Sequence, residues 1–133
     1  MATYNKFLPA TEQMNEGMNA QTDTWKIVLA TALANTDTTI TAEVPNGNGY
    51  TTGGNTATVT TSSTTAGVYK LVLASPSVWT ASGAGFTFRY AILYNSTTST
   101  PVGYWDYGSS QVVAVGETVT VTLDGTNGVY TVT

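Results

Sequence analysis

The spacing of hydrophobic residues settles into a period of two from position 23 onwards. In "TWKIVLA", Trp25, Ile27 and Leu29 fall on one face of an extended chain, and the residues between them fall on the other. This is the spacing at which side chains of a β-strand return to the same face. The chain from position 23 onwards is therefore predicted to form strands.

Short segments of the same kind follow one another, separated by clusters of Gly, Asn, Asp, Ser and Pro. The further predicted strands are "TATVTTS", "VYKLVLA", "SVWT", "FTFRYAILYN", "PVGYWDYG", "SQVVAV", "ETVTVTLDG" and "GVYTVT". Such a series predicts an all-β, single-domain antiparallel β-sandwich, jelly-roll-like or immunoglobulin-like, over residues 23–133. Within it, residues 124–128 are predicted to close a hairpin between 119–123 and 129–133.

Two segments depart from this pattern. Residues 1–22 are predicted to form an N-terminal arm or short helix, because Phe7, Met14 and Met18 have spacings compatible with one helical face. Residues 35–55 form a long connection with little apolar pattern, which is typical of a functional loop or of a segment ordered by something else. Tyr50 is predicted to anchor this connection, and its glycines to supply positive φ angles.

The amino-acid composition argues against most kinds of metal-binding, catalytic and nucleic-acid-binding site. The chain has no cysteine and no histidine, so it lacks thiolate metal ligands and the commonest general base. A net charge of -4 and four scattered cationic residues argue against binding to nucleic acid or an anionic membrane. We expect no metal and no cofactor. No signal peptide or membrane span is expected either, so the protein is predicted to be made in the cytoplasm.

The chain is poor in charged residues and rich in threonine. Charged residues make up 9% of the chain, against about 25% in ordinary domains. The chain has 28 threonines, many of them in runs such as "TATVTTSSTT". Threonine suits a pleated surface, but low charge weakens the protection of strand edges against pairing with other chains.

Arg89 lies in the middle of the most regular strand, "FTFRYAILYN". If Phe86 and Phe88 face the core, Arg89 faces outwards beside apolar residues. One interpretation is a recognition arginine in a subunit interface. The other is an intramolecular pair with Asp106 or Glu117. Neither interpretation is catalytic.

The segment "YWDYG" groups three aromatic residues around Asp106. Exposed rings beside a carboxylate would suit the stacking and hydrogen bonding of a sugar. The alternative is a strand with Trp105 and Tyr107 in the core and with Tyr104 and Asp106 on its other face. Both interpretations are compatible with the residues.

The remaining sequence motifs for metal binding, glycosylation and catalysis are weak. The segment "DGTNG" lacks the later glutamate of a calcium loop and is interpreted as a turn. Asn95 begins a glycosylation acceptor pattern, which we attribute to chance. Neither "GxSxG" nor "SxxK" is present, so the chain is not expected to be an enzyme. A hydrolase with paired carboxylates is a formal third possibility.

Seven segments together resemble a family of small virion proteins of tailed bacteriophages. They are "TYNKF", "DTWKIVL", "NGYTTGGN", "YKLVLASPSVWTASG", "FTFRYAILYN", "GYWDYGSS" and "GETVTVTLDGTNGV". The similarity covers about residues 3–131, and "NGYTTGG" and "FRYAILYN" are its most specific blocks. It implies a virion component, and by analogy a cement or decoration protein on the capsid surface.

In that role the partners would be the major capsid protein and neighbouring copies of the chain, with a trimer as the expected oligomer. The residues expected to take part in interactions are Tyr4, Phe7, Met14, Met18, Tyr50, Arg89, Tyr104 and Asp106. The alternative is a tail-associated or head-fibre domain that binds host-surface glycan through "YWDY" and the threonine-rich loops.

Overall fold

The structure is a computed structural model that describes residues 3–132. These residues form one short helix, α1 (Ala10–Glu16), and eleven strands. The strands are β1 (Thr3–Lys6), β2 (Trp25–Ala32), β3 (Ala42–Glu43), β4 (Asn55–Thr56), β5 (Val59–Thr65), β6 (Val68–Leu73), β7 (Trp79–Thr80), β8 (Phe86–Asn95), β9 (Thr100–Val113), β10 (Thr118–Val119) and β11 (Tyr130–Val132). No helix among the described residues has the length and hydrophobicity needed to cross a membrane.

The strands form three antiparallel sheets. The largest has the order β1-β9-β8-β2-β3, with β4 also paired to β2. The second has the order β11-β6-β5, and the third consists of β10 and β7. Residues from all three sheets belong to one buried hydrophobic cluster. The protein is therefore an all-β, sandwich-like single domain, as the sequence pattern predicts.

The two central strands of the large sheet are buried on both faces. In β8, Ala91, Ile92 and Leu93 are all fully buried, although the alternating pattern predicts one buried face. On one face, Ile92 lies opposite Tyr104, whose ring contacts Phe7 of the N-terminal segment. In the other central strand, Trp25 of β2 contacts Tyr130 of β11, which belongs to the three-stranded sheet, with ring centroids 6.2 Å apart. A strand between two covering layers needs apolar residues at successive positions, and alternation alone does not reveal this.

The first residues that the structure describes, from Thr3, belong to the large sheet. The prediction for this region was an arm or a short helix, and both an extended segment and a helix are present. The extended part is β1, which pairs with β9, and α1 begins just after Pro9. The helix is shorter than the predicted apolar face, because Phe7 precedes it and Met18 follows it.

The predicted C-terminal hairpin is wrong. Its turn exists, because the Asp124 carboxylate accepts hydrogen bonds from the amides of Thr126 and Asn127, each at 2.8 Å. However, the two flanks join different sheets, since β10 pairs with β7 and β11 pairs with β6. The amide of Val129 donates to the Leu71 carbonyl at 2.8 Å, which commits the second flank to β6. Thr133, the last residue of the prediction, lies outside the described residues.

The hairpin that does form joins β5 to β6. Its two-residue loop is Ala66–Gly67, and both residues have positive φ, at 50° and 80°. Positive φ at both central positions characterises a type I′ turn, which matches the twist of the flanking strands. This turn fixes the register of β5 against β6, with Thr65 opposite Val68.

Candidate functional site

Arg89 forms an intramolecular ion pair with Asp106. Its Nε donates to Oδ1 at 2.9 Å and one terminal nitrogen donates to Oδ2 at 3.2 Å, in a two-point arrangement. The pair lies beside an irregularity in the β8–β9 register, where Gly108 has a φ of 86° and donates its amide to Asp106. This confirms the interpretation of Arg89 as a paired residue, with Asp106 rather than Glu117 as its partner.

The pKa shifts of both residues favour the charged forms of Arg89 and Asp106. The hydrogen bonds from Arg89, followed by the bond from the Gly108 amide, lower the pKa of the Asp106 carboxyl. The same carboxylate raises the pKa of the Arg89 guanidinium. Both side chains are about one-third exposed, at 37% and 31%. Asp106 thus stays ionised at neutral pH and is a poor proton donor.

The rings of "YWDYG" are half-buried and in contact with other rings. Tyr104 contacts Phe7 with centroids 5.0 Å apart, and Trp105 contacts Tyr4 at 5.1 Å. Tyr107 meets Phe88 edge-on at 5.2 Å. Trp105 and Tyr107 are therefore not fully in the core. Every ring of the segment thus has an intramolecular aromatic partner.

The N-terminal candidates take structural positions. Phe7 is 1% exposed and belongs to the core, so it is not available to a partner in this structure. Met14 and Met18 are partly buried against the same core. The Tyr4 ring lies over Gly103, and burial raises the pKa of Tyr4 to about 12. The segment is packed onto the sheet rather than projecting from it.

Tyr50 anchors the long connection, as predicted, and is 2% exposed. Its hydroxyl donates to Glu43 Oε1 at 2.7 Å and accepts the Leu29 amide at 3.2 Å. Burial, followed by the bond to Glu43, raises the pKa of this phenol. The glycines at 47, 49, 53 and 54 adopt positive φ, again as predicted. Tyr50 is thus a core residue, which corrects its expected place in an interaction surface.

The carboxylates outside α1 act as braces for the backbone and for side chains. Asp23 accepts from Asn95 Nδ2 at 2.8 Å, and Asp37 accepts from the Ala34 amide at 2.8 Å. Glu117 accepts from the Ala114 amide at 2.7 Å. Glu43, Asp106 and Asp124 are engaged as described above. Within residues 3–132, no three acidic side chains come together as a metal site.

The glycosylation pattern at Asn95 has a structural use. The Asn95 side chain is fully buried, and its nitrogen is bonded to Asp23. Its oxygen accepts the Thr98 amide at 3.1 Å. These bonds tie the β8–β9 turn to the start of β2, which agrees with the interpretation of the pattern as chance.

An open groove at the end of β9 was missed by sequence reasoning. It has a volume of about 260 Å³ and is lined by Phe88, Tyr107, Gln111, Val112, Val113, Glu117, Thr118, Val119 and Thr120. We call it the β9 groove. Val112 is 77% exposed, and Val115, on the loop leading from β9 to β10, is 66% exposed. The run "VVAV" before Gly116 is the signal that could have revealed it, because it is more apolar than one buried face requires.

Comparisons with models of protein families, with curated proteins and with solved structures yield no match to this chain.

Proposed function

We propose that this protein is a structural component of a tailed-bacteriophage virion. We further propose that it acts as a capsid decoration, or cement, protein that binds the assembled shell and stabilises it. The phage assignment rests on the resemblance of the seven sequence segments. The geometry supports a binding role over a catalytic one, because the carboxylates outside α1 are engaged as structural braces.

The observation that carries the binding role is the exposed apolar rim of the β9 groove. Val112, which lines the groove, and Val115, on the loop that follows β9, are the two most exposed large hydrophobic residues of the described chain. Full burial of a valine side chain contributes about 1.5–3 kcal/mol relative to leaving it in water. Exposed apolar side chains around a concave surface are typical of a site where another protein packs.

Modest contacts of this size are sufficient on a capsid. A protein that binds only the assembled shell stabilises that state in proportion to its occupancy. The icosahedral lattice repeats each contact many times, so a weak individual site gives a large total stabilisation. The low proportion of charged residues, 9%, supports the same role, because surfaces with few charges lose little hydration when they pack together.

Glycan binding by a tail-associated domain is the competing function. It would need free aromatic faces beside a free carboxylate, whereas Asp106 is held by Arg89 and the neighbouring rings pack on one another. We therefore favour the decoration role.

The decisive experiment measures copy number in purified particles of the phage that encodes this sequence. We expect hundreds of copies per particle by quantitative mass spectrometry, and density on the capsid surface in a map of the intact particle. A few copies located at the tail would contradict the decoration role, and absence from the particle would refute the virion assignment.

A second experiment tests the β9 groove itself. Particles lacking the protein are mixed with purified wild type, with Val112→Asp, or with Val78→Asp as the control. Val112 lines the groove and is the most exposed large hydrophobic residue of the described chain. Val78 is also exposed, at 47%, but does not line the groove. We expect Val112→Asp to raise the Kd for the shell by about tenfold, equivalent to about 1.4 kcal/mol, and Val78→Asp to bind like wild type. Equal binding of all three would remove the groove from the proposal.

A further inference from the structure

The outer strand of the three-stranded sheet, β5, has one free edge. It pairs with β6 on one side, and no described residue pairs with it on the other. Its sequence, "VTTSSTT", contains neither a charged residue nor a proline, and most of its side chains are exposed. Free edges without charge or proline are the ones that pair with further strands.

Most other edges in the described chain are shorter or carry charge. The outer edge of β9 beyond its pairing with β1, residues 107–113, is as long and uncharged, but the register of β9 against β8 is broken between residues 106 and 111. β1 has four residues and includes Lys6, and β3 has two and includes Glu43. β4, β7 and β10 have two residues each, and β11 has three. β5 is therefore the longest unprotected edge on a regularly paired strand, since its register with β6 is continuous from Thr61 to Thr65.

The turn fixes which backbone groups of β5 point outwards. In a hairpin with a two-residue loop, the residues that flank the loop form a hydrogen-bonded pair, and such pairs then alternate along the strands. Thr65, Ser63 and Thr61 therefore bond to β6. Ser62 and Thr64 direct their amide and carbonyl groups away from it, towards the open edge.

We propose that β5 pairs antiparallel with β5 of a second copy of this chain, across a twofold axis at Ser63. Ser62 of each copy would then lie opposite Thr64 of the other. Each such pair exchanges two N–H···O=C bonds, so the two pairs make four. The two three-stranded sheets would become one continuous sheet of six strands.

A second copy suits this edge because the strand is complementary to itself. The copies carry a net charge of -4 each, yet β5 contributes no charge to the contact. The nearest cation along the ladder is Lys70, opposite Ser63. Its Nζ donates to the Thr126 carbonyl at 2.6 Å, in the turn that precedes β11, which draws it away from the open edge. Facing hydroxyls also pair favourably across strands.

This inference is independent of the virion assignment, because pairing of purified copies needs no capsid. The test compares Ser63→Lys with Thr131→Lys. Both residues are exposed and both lie opposite Lys70, on the two sides of β6. Each substitution therefore places a second lysine opposite Lys70 within the sheet, but only Ser63→Lys places a charge at the proposed twofold axis.

Mass is measured by light scattering after size-exclusion chromatography, over a range of protein concentrations. We expect wild type and Thr131→Lys to be dimeric, and Ser63→Lys to dissociate with a Kd raised at least about tenfold. Circular dichroism checks that all three are folded. A monomeric or trimeric wild type would overturn the proposal, as would a Ser63→Lys protein that dimerises like wild type.

Cross-linking gives a second readout that does not depend on weakening the contact. The chain has no cysteine, so a single introduced thiol reports one position. Residues directly opposite in a non-hydrogen-bonded pair have Cβ atoms about 4.5–5.5 Å apart, close to disulfide distance. We expect Ser63→Cys to form disulfide-linked dimers on mild oxidation and Thr131→Cys not to. Equal cross-linking of the two variants would reject pairing through β5.

Discussion

Removing one oxygen atom from Tyr50 tests how the long connection is held to the large sheet. β4 pairs with β2 at Lys26 and Ile27, and β3 pairs with it from Ala30 onwards. Between these two short strands, the Leu29 amide points at the Tyr50 hydroxyl, 3.2 Å away. The phenol thus takes the place of a strand carbonyl in a gap of the ladder.

The variant Tyr50→Phe keeps the ring and its stacking on Trp79, whose centroid is 6.5 Å away. It leaves the buried Leu29 amide without an acceptor. An unsatisfied buried donor costs about 1–3 kcal/mol. Glu43 loses one donor but keeps the Gly53 amide at 2.6 Å. We therefore expect the free energy of unfolding to fall by about 2 kcal/mol.

Urea denaturation followed by tryptophan fluorescence measures this change. At about 4 °C per kcal/mol for a domain of this size, Tm should fall by about 8 °C. The matched control is Tyr94→Phe, because the Tyr94 hydroxyl makes no hydrogen bond to a described residue; we expect a change within about 0.5 kcal/mol. If Tyr50→Phe were as stable as the control, the connection would be anchored by ring packing alone.

Two further predictions test the N-terminal strand and the ion pair. Gly103→Ala would place a Cβ against the ring and hydroxyl of Tyr4. We therefore expect a loss of about 1–3 kcal/mol in the free energy of unfolding and faster amide exchange in β1. The control is Gly125→Ala, whose added Cβ meets nothing within 4 Å. Equal exchange in the two variants would contradict the contact. Asp106→Asn should be less stable than wild type at pH 7, as measured by chemical denaturation. Because Arg89 lowers the pKa of Asp106 in the folded state, the contribution of the pair is present above the ordinary value of 3.8 and is lost as pH falls through the lowered pKa. The difference between the two proteins should therefore shrink in acid, and a constant difference would refute the electrostatic origin.

Local pattern predicts much of this fold. The predicted bounds of β8 coincide with those in the structure, and the clusters "ASGAG" and "NSTTSTP" begin just after β7 and at the end of β8. Tyr50 stands out as the one aromatic residue in a glycine-rich segment, and its anchoring role follows from that contrast. The Arg89–Asp106 pair is also predictable, because a cation on an apolar strand needs a nearby carboxylate.

The local hydrophobic pattern does not determine which strand each strand pairs with. The segments around Asp124 carry a strong hairpin signal, yet their flanks join different sheets because β6 and β7 offer them ladder partners. Pairing between distant segments is decided by the assembled core rather than by the turn. The β9 groove is not predictable from the sequence for a similar reason, since it exists only when the end of β9 and the following loop come together.

The distribution of charge connects the fold to the proposed role. Of the eight carboxylates, six are engaged as acceptors for backbone amides or side-chain donors in loops, turns and the ion pair. The outward-facing strands, β5 above all, carry hydroxyls instead. Burying an ionised side chain against a neighbour is costly unless it is paired, whereas a hydroxyl both donates and accepts and so is satisfied by almost any polar partner. A surface of this kind accepts contact with other protein surfaces at low cost, which is the physical property that a repeating shell protein needs.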